Sequence, residues 1–188
     1  YPLGIYDMQL GGTHYYQRYP NEVSYYPFPS SYQVLAVDGS EKLVEKPYGG
    51  NNMETLAAAG GWVASAPDLV KFLLAIDGFS SKNDILKKET IELMANHDNQ
   101  LYPYGWRGSY KGFWWRTGTL SGTSALAVRQ SNEVIWVALF NTSTRFATRF
   151  PRYVNRTMNK MLDHIAYWPS YDLFDHSTDL KNQLLTNN

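Results

Sequence analysis

A short polar run inside an apolar stretch holds the residues with the clearest chemical potential. Arg116, Thr117 and Gly118 follow an aromatic triplet and precede a second glycine–threonine pair, Gly122-Thr123. The guanidinium of arginine stays charged, so it can orient a carboxylate but cannot act as a base. Threonine supplies a hydroxyl, and glycine lets another group approach the backbone closely. This combination predicts a strand edge held open for a ligand, with a free carboxylate as the group that the guanidinium favours.

The residues around this run have the composition of antiparallel strands. Two apolar runs, rich in β-branched and aromatic residues, flank the turn-forming triplet 130–132. The second run, 134–140, is uninterrupted and of strand length, as expected for a central strand covered on both faces. The pattern predicts two antiparallel strands across 112–140, with Arg116 on the first.

Three helices are predicted around these strands. The first is capped by Ser65, carries a proline and an acid in its first turn, and ends at Asp77-Gly78. The second covers about 87–96. The third opens at Pro151 and ends before Trp168, and its apolar face consists of Phe150, Val154, Met158, Met161, Leu162 and Ile165. The predicted class is α/β of the α+β type: an antiparallel β-sheet with a C-terminal helix packed on it and a helical, irregular N-terminal region.

The chain divides into three segments by composition. Residues 1–56 are loop-rich and dominated by Tyr, Pro, Gly, Asn and Ser, with one short strand within 31–39. An opening this irregular is unusual for a compact domain and favours a piece from inside a larger fold. Residues 57–168 hold the predicted helices and strands, and residues 169–188 form a polar tail.

Composition excludes several classes of function. The chain has 17 Lys and Arg and 17 Asp and Glu, and this balance argues against a nucleic-acid or anionic-membrane surface. No apolar run approaches the roughly 18 residues of a membrane span. The absence of cysteine excludes thiolate metal sites, and the four histidines lack ligand spacing. We therefore expect no metal and no cofactor.

Several stretches together resemble a known family. Residues 2–5 are similar to a Pro-Leu-Gly-Met segment, and residues 59–73 are similar to an Ala-Gly-Gly-Leu-x-Ser-Thr-x-x-Asp-Leu-x-x-Phe helix. Residues 104–106, then 116–123, then Phe140-Asn141 are similar to a third-motif hairpin. In this order they resemble the C-terminal half of the serine β-lactamase/penicillin-binding-protein superfamily, nearest to its class C-like hydrolases, D-alanyl-D-alanine peptidases and esterases.

The resemblance covers about residues 1–165 and implies a partial β-lactamase/transpeptidase-like fold, with 1–56 lining the cleft. In that reading Arg116-Thr117-Gly118 stands for the third motif, Lys-Thr-Gly, with Arg in place of the usual Lys or His. Thr117 would hydrogen-bond the substrate carboxylate, and the backbone N–H of Thr119 would be one oxyanion-hole donor. The residues expected to contact substrate are Tyr104, Trp106, Trp115, Gly122 and Thr123.

Two other motifs of the family are missing. No serine is followed by lysine three residues later, and Tyr-x-Asn occurs only at 19–21 and 153–155, out of the family's order. The resemblance therefore implies a C-terminal part of a serine hydrolase that lacks its nucleophile and is inactive alone. Its expected partners are the N-terminal half of the same protein and a small peptide, ester or β-lactam substrate. The family's habit implies a periplasmic or secreted location.

Other interpretations remain open at this stage. The same hairpin could serve a non-catalytic module or pseudo-enzyme that binds a peptide or glycan, or the chain could be purely structural. Arg116 could pair with a neighbouring acid. The tryptophans at 114, 115 and 136 fit a core better than a sugar-binding platform.

Overall fold

The computed structural model describes residues 3–29, 32–95, 103–172 and 174. Contacts within the chain divide it into two units, with the boundary between Arg156 and Thr157. The strands are β1 Gln9–Leu10, β2 Gln33–Leu35, β3 Leu43–Glu45, β4 Trp62–Val63, β5 Gly108–Tyr110, β6 Phe113–Leu120, β7 Thr123–Arg129 and β8 Ile135–Phe140. The α-helices are α1 Met53–Leu56, α2 Ala66–Leu74, α3 Lys88–Ala95 and α4 Phe150–Leu162. The α+β class is confirmed.

A four-stranded antiparallel sheet in the order β5-β6-β7-β8 is the centre of the first unit. Two smaller antiparallel pairs, β1 with β4 and β2 with β3, lie in the N-terminal region, which is otherwise irregular. Strand β2 falls within the short strand predicted from sequence, whereas its partner β3 was not anticipated. The short pairs give this region only local order.

The prediction of two strands across 112–140 is wrong, because the first run folds back on itself. A tight turn at Ser121-Gly122 separates β6 from β7, and Leu120 pairs with Thr123 across it. Gly122 has a φ of +80°, a conformation that glycine adopts without steric cost. The first apolar run therefore supplies two paired strands instead of one.

Strand β8 also differs from its prediction as a central strand. Among the described residues it lies at the edge of the sheet and pairs with β7 alone. A short bridge on its outer side lies just beyond the end of the strand, where the Tyr26 N–H donates a 3.0 Å hydrogen bond to the carbonyl of Asn141. Continuous apolar character predicts apolar surroundings on both faces of a strand, but it does not give the strand's place in the sheet order.

The helix predictions for α2 and α3 are confirmed. Ser65 caps α2, since its hydroxyl accepts a 3.2 Å hydrogen bond from the Asp68 backbone N–H. The two helices pack on one face of the sheet. The buried core there consists of Leu73, Ile91, Ala95, Trp106, Trp114 and Ala127.

Helix α4 begins as predicted and ends earlier. The ring of Phe150, in its first turn, meets the ring of Phe140 edge-on at 4.9 Å, so this end packs against β8. The helix ends at Leu162, and Ile165, predicted on its apolar face, lies beyond it. Within the described residues, no helix combines the length and the apolar character needed to cross a membrane.

Candidate functional site

The outer edge of β6 is paired for only part of its length. Strand β5 covers Phe113 to Trp115, and the Arg107 N–H closes this pairing with a 2.8 Å bond to the Trp115 carbonyl. From Arg116 to Leu120 no strand of the described residues pairs with that side. The polar run singled out from the sequence therefore lies on an open strand edge.

Strand geometry sets which backbone groups face this opening. The N–H and C=O of one residue in an antiparallel strand lie on the same side, and the side alternates along the strand. Since the Trp115 carbonyl points toward β5, the backbone groups of Thr117 and Thr119 point the same way, into the open edge. The backbone groups of Arg116 and Gly118 face β7. The arrangement leaves two amide donors available to a ligand.

The side chain of Arg116 lies on the face of the sheet that the helices cover, at the border of the covered part. By alternation it shares that face with Trp114, which is buried in the core, and it pairs in register with Ala127. Arg116 is nevertheless exposed. Among the described residues it forms no ion pair, so the alternative in which it neutralises a nearby acid finds no partner there.

The next three residues present little bulk to the opening. Gly118 and Thr119 are exposed, and Thr117 is half-buried. A Cβ added at Gly118 would meet the Cβ of Ala125 at 3.6 Å, an ordinary van der Waals contact. Packing within the chain therefore does not require glycine at this position, in contrast to Gly122.

The aromatic residues expected to contact substrate occupy different environments. Tyr104 is exposed and Trp115 is half-buried. Trp106, however, is only 6% exposed and packs against Trp114, with ring centroids 5.6 Å apart. The structure thus places Trp106 in the core, in line with the core interpretation already given for Trp114 and Trp136. A buried ring supports the strand from behind and has no surface for a ligand.

Gly122 and Thr123 use their polar groups within the chain. The Gly122 N–H donates to the hydroxyl of Ser143 at 2.6 Å, and the Thr123 hydroxyl donates to the Phe140 carbonyl at 3.1 Å. Gly122 is buried. These bonds hold the β6–β7 turn against the end of β8 and the segment that follows it, so both residues position the hairpin that carries the open edge.

A small cavity of about 90 Å³ adjoins this turn. It brings N-terminal residues beside the hairpin, and its lining includes Glu22, Tyr25, Trp62, Leu120 and Thr123. The Tyr25 hydroxyl donates to the Glu22 carboxylate at 2.7 Å, and burial, followed by this bond, raises the pKa of Tyr25. Sequence reasoning did not single out this pair, because only the tyrosine-rich composition of the region marks it.

The arrangement supplies donors and a cation without a recognisable attacking group. Thr119 offers a backbone N–H and Arg116 a guanidinium, which can stabilise negative charge on a bound molecule. Across the part of the chain that the structure describes, no group of three or more His, Asp or Glu side chains could hold a metal ion. No serine of the sequence has the Ser-x-x-Lys spacing.

Comparison with known proteins adds one finding. The family model described as Beta-lactamase matches residues 3–157. This span is more than half of the chain and includes the whole of the four-stranded sheet. A search of curated proteins finds no match.

Proposed function

The chain belongs to the beta-lactamase family, and from this premise we propose that it supplies the third-motif strand and oxyanion-hole edge of a serine hydrolase active site. The observation that carries this proposal is the unpaired outer edge of β6, which begins at the exposed Arg116. The reaction is acyl transfer on a peptide ending in D-Ala, on an ester or on a β-lactam.

Each residue of the edge has a distinct role in this proposal. The guanidinium of Arg116 binds the carboxylate of the substrate through paired, charge-assisted hydrogen bonds. The Thr117 hydroxyl adds a further hydrogen bond to that carboxylate. The backbone N–H of Thr119 donates to the carbonyl oxygen of the scissile bond, where negative charge develops during attack. Gly118 keeps the strand free of a side chain at the point of closest approach.

The nucleophile is proposed to come from polypeptide outside this chain. The sequence has no Ser-x-x-Lys, and Arg116 cannot accept a proton. An N-terminal half of the same protein would supply the serine that attacks the carbonyl and the groups that move its proton. The chain alone is expected to be inactive, and we propose that the whole protein acts outside the cytoplasm, as is the family's habit.

The test measures binding and turnover on the full chain. We expect a peptide ending in D-Ala-D-Ala to raise the Tm, and we expect the rise to disappear in Arg116→Gln and to persist in Lys111→Gln, the matched exposed control. Nitrocefin and p-nitrophenyl esters should not be turned over. A Tm rise unaffected by Arg116→Gln would contradict the carboxylate role, and turnover by the isolated chain would contradict an external nucleophile.

A second candidate is a binding module or pseudo-enzyme that uses the same edge. The absence of Ser-x-x-Lys from the sequence favours it. The coding sequence upstream of this chain distinguishes the two candidates. A Ser-x-x-Lys followed by Tyr-x-Asn, with esterase activity restored on mixing the two halves, supports the hydrolase. The absence of both features supports the binding module.

A further inference from the structure

The charge of the chain is unevenly distributed along the sequence. Residues 134–162 contain no Asp or Glu, yet they contain four arginines and one lysine. Four of the chain's eight arginines fall within 145–156, whereas none of its nine lysines does. A zero net charge over 188 residues thus hides a strongly cationic segment.

The structure brings these arginines to one surface. Arg149, Arg152, Tyr153 and Arg156 line an open groove of about 410 Å³, which we call the arginine groove. All four side chains are exposed. Within the described residues none of the three arginines forms an ion pair. Their charges are therefore available to an external anion.

The position of the groove on α4 increases its positive potential. The N-terminal end of an α-helix carries a partial positive charge and is stabilised by acidic side chains. The first turn of α4 has no acid, and Arg149 and Arg152 are at its start. The cations and the helix dipole repel each other here, and a bound anion relieves both. The helix dipole adds to the positive potential of the arginine groove, but the groove itself is defined by its arginines.

Two aromatic rings accompany the cations. Tyr153 is 51% exposed and Phe146 is 39% exposed, and their ring centroids lie 4.8 Å apart. The guanidinium of Arg145 lies 5.1 Å from the Phe146 centroid. Exposed aromatic rings beside arginines are typical of surfaces that sit in the headgroup layer of a membrane, where the rings meet apolar chains and the guanidinium groups meet phosphates.

We propose that the arginine groove, with Arg145 and Phe146 at its border, docks the chain on an anionic phospholipid surface. Arginine is suited to phosphate because its planar fork pairs with two oxygens, which fits the exclusion of lysine from 145–156. An anionic bilayer fits better than a nucleic acid, because the exposed rings of Tyr153 and Phe146 beside the arginines match the apolar layer that lies under the lipid phosphates. Since the chain has no net charge, the attraction acts at close range, within the Debye length of about 10 Å.

Vesicle flotation of the full chain tests this proposal. We expect binding to vesicles that contain phosphatidylglycerol and none to pure phosphatidylcholine, with binding weakened as salt rises above about 0.1 M. Each cation near an anionic leaflet contributes about 1 kcal/mol, which is roughly fivefold in partitioning. The triple variant R149Q/R152Q/R156Q should therefore bind roughly a hundredfold less.

Matched variants separate the groove from total charge. The triple variant K42Q/K87Q/K111Q removes the same charge from exposed positions elsewhere, and it should keep its partitioning within about twofold of wild type. The variant R149K/R152K/R156K should retain part of the binding. Thermal unfolding checks that each variant is folded. If a triple variant does not fold, the single variant R152Q replaces it, and its vesicle partitioning should fall about fivefold.

The proposal is overturned by equal binding to neutral and anionic vesicles, by equal loss of binding in the lysine and arginine triple variants, or by no vesicle binding. Arginine-dependent binding of inorganic phosphate or of RNA in place of vesicles would also overturn it, by assigning the groove to a soluble anion. None of these outcomes depends on Arg116 or on the open edge of β6, so the proposed function is tested separately.

Discussion

Arg129 joins the end of β7 to the segment that follows α2, because its Nε donates a 3.0 Å hydrogen bond to the backbone carbonyl of Asp77. A second bond of 2.6 Å runs to the Gly112 carbonyl, at the start of the β6 strand. The guanidinium lies between two rings, 3.6 Å from the centroid of Phe79 and 4.1 Å from that of Trp114. One buried cation thus holds together the strand that carries the open edge and the helix behind it.

Replacing Arg129 by methionine should destabilise the fold. The change leaves two buried carbonyls without their charged donor and removes the stacking on both rings, so we expect a loss of about 3 kcal/mol in the free energy of unfolding. Urea denaturation measures it. Arg145→Met, at an exposed position, is the control and should change stability by less than about 0.5 kcal/mol. Equal midpoints for the two variants would show that Arg129 does not anchor the sheet.

Asp77 should make stability depend on pH in the acid range. Burial raises the pKa of its carboxyl above the ordinary 3.8, against the N–H of Phe79, which lowers it. The folded state then holds the proton more tightly, so this contribution to stability is complete below about pH 4 and is lost as pH rises through the raised pKa. Asp77→Asn mimics the neutral form, and its Tm minus the wild-type Tm should increase with pH. A difference that falls with pH would contradict the direction of the shift.

Two glycines of the β6–β7 hairpin should respond differently to alanine. Gly122 has a positive φ, and its added Cβ would meet the Cβ of Tyr25 at 2.9 Å, so Gly122→Ala should cost about 2 kcal/mol of stability. Gly118→Ala should cost less than about 1 kcal/mol, since only an ordinary contact with Ala125 forms. Thermal unfolding compares the two. Similar losses would mean that the turn does not require glycine.

Arg116 should contribute to ligand binding without contributing to stability. The side chain is exposed and forms no ion pair among the described residues, so Arg116→Gln should shift the free energy of unfolding by less than about 0.5 kcal/mol. A larger loss in chemical denaturation would indicate that the guanidinium has a structural partner, and the carboxylate role proposed for it would lose its main support.

Local signals in the sequence predicted some of these features and missed others for physical reasons. The Ser65 cap was predicted because a capping bond spans three residues, Ser65 to Asp68. The Ser121-Gly122 turn was missed although serine and glycine both favour turns, because strand-forming residues flank the pair closely and the whole run resembles one strand. The Arg129 contact links residues 52 positions apart, and no local pattern encodes such a pairing.

The candidate site was also predicted only in part from the sequence. Arg116 and the threonines beside it were identified by residue type, and the structure adds the direction of their backbone groups, which depends on pairing with β5. Trp106 was expected to contact substrate because residues 104–106 resemble part of the family's hairpin. Tryptophan serves binding clefts and cores alike, and only its burial in the folded chain assigns this one to the core. The cavity beside the turn joins N-terminal residues to the hairpin, so only the folded chain reveals it.

Strand β8 has a practical consequence for work on this chain. Its six residues are all apolar, and no strand of the described residues occupies its outer side. An unpaired strand edge of this kind can pair with further strands, either from a complementing polypeptide or from other copies of the same chain. The protein concentration should therefore be kept constant in every assay. A fused or added strand that pairs with the outer side of β8 should improve the yield of monodisperse protein.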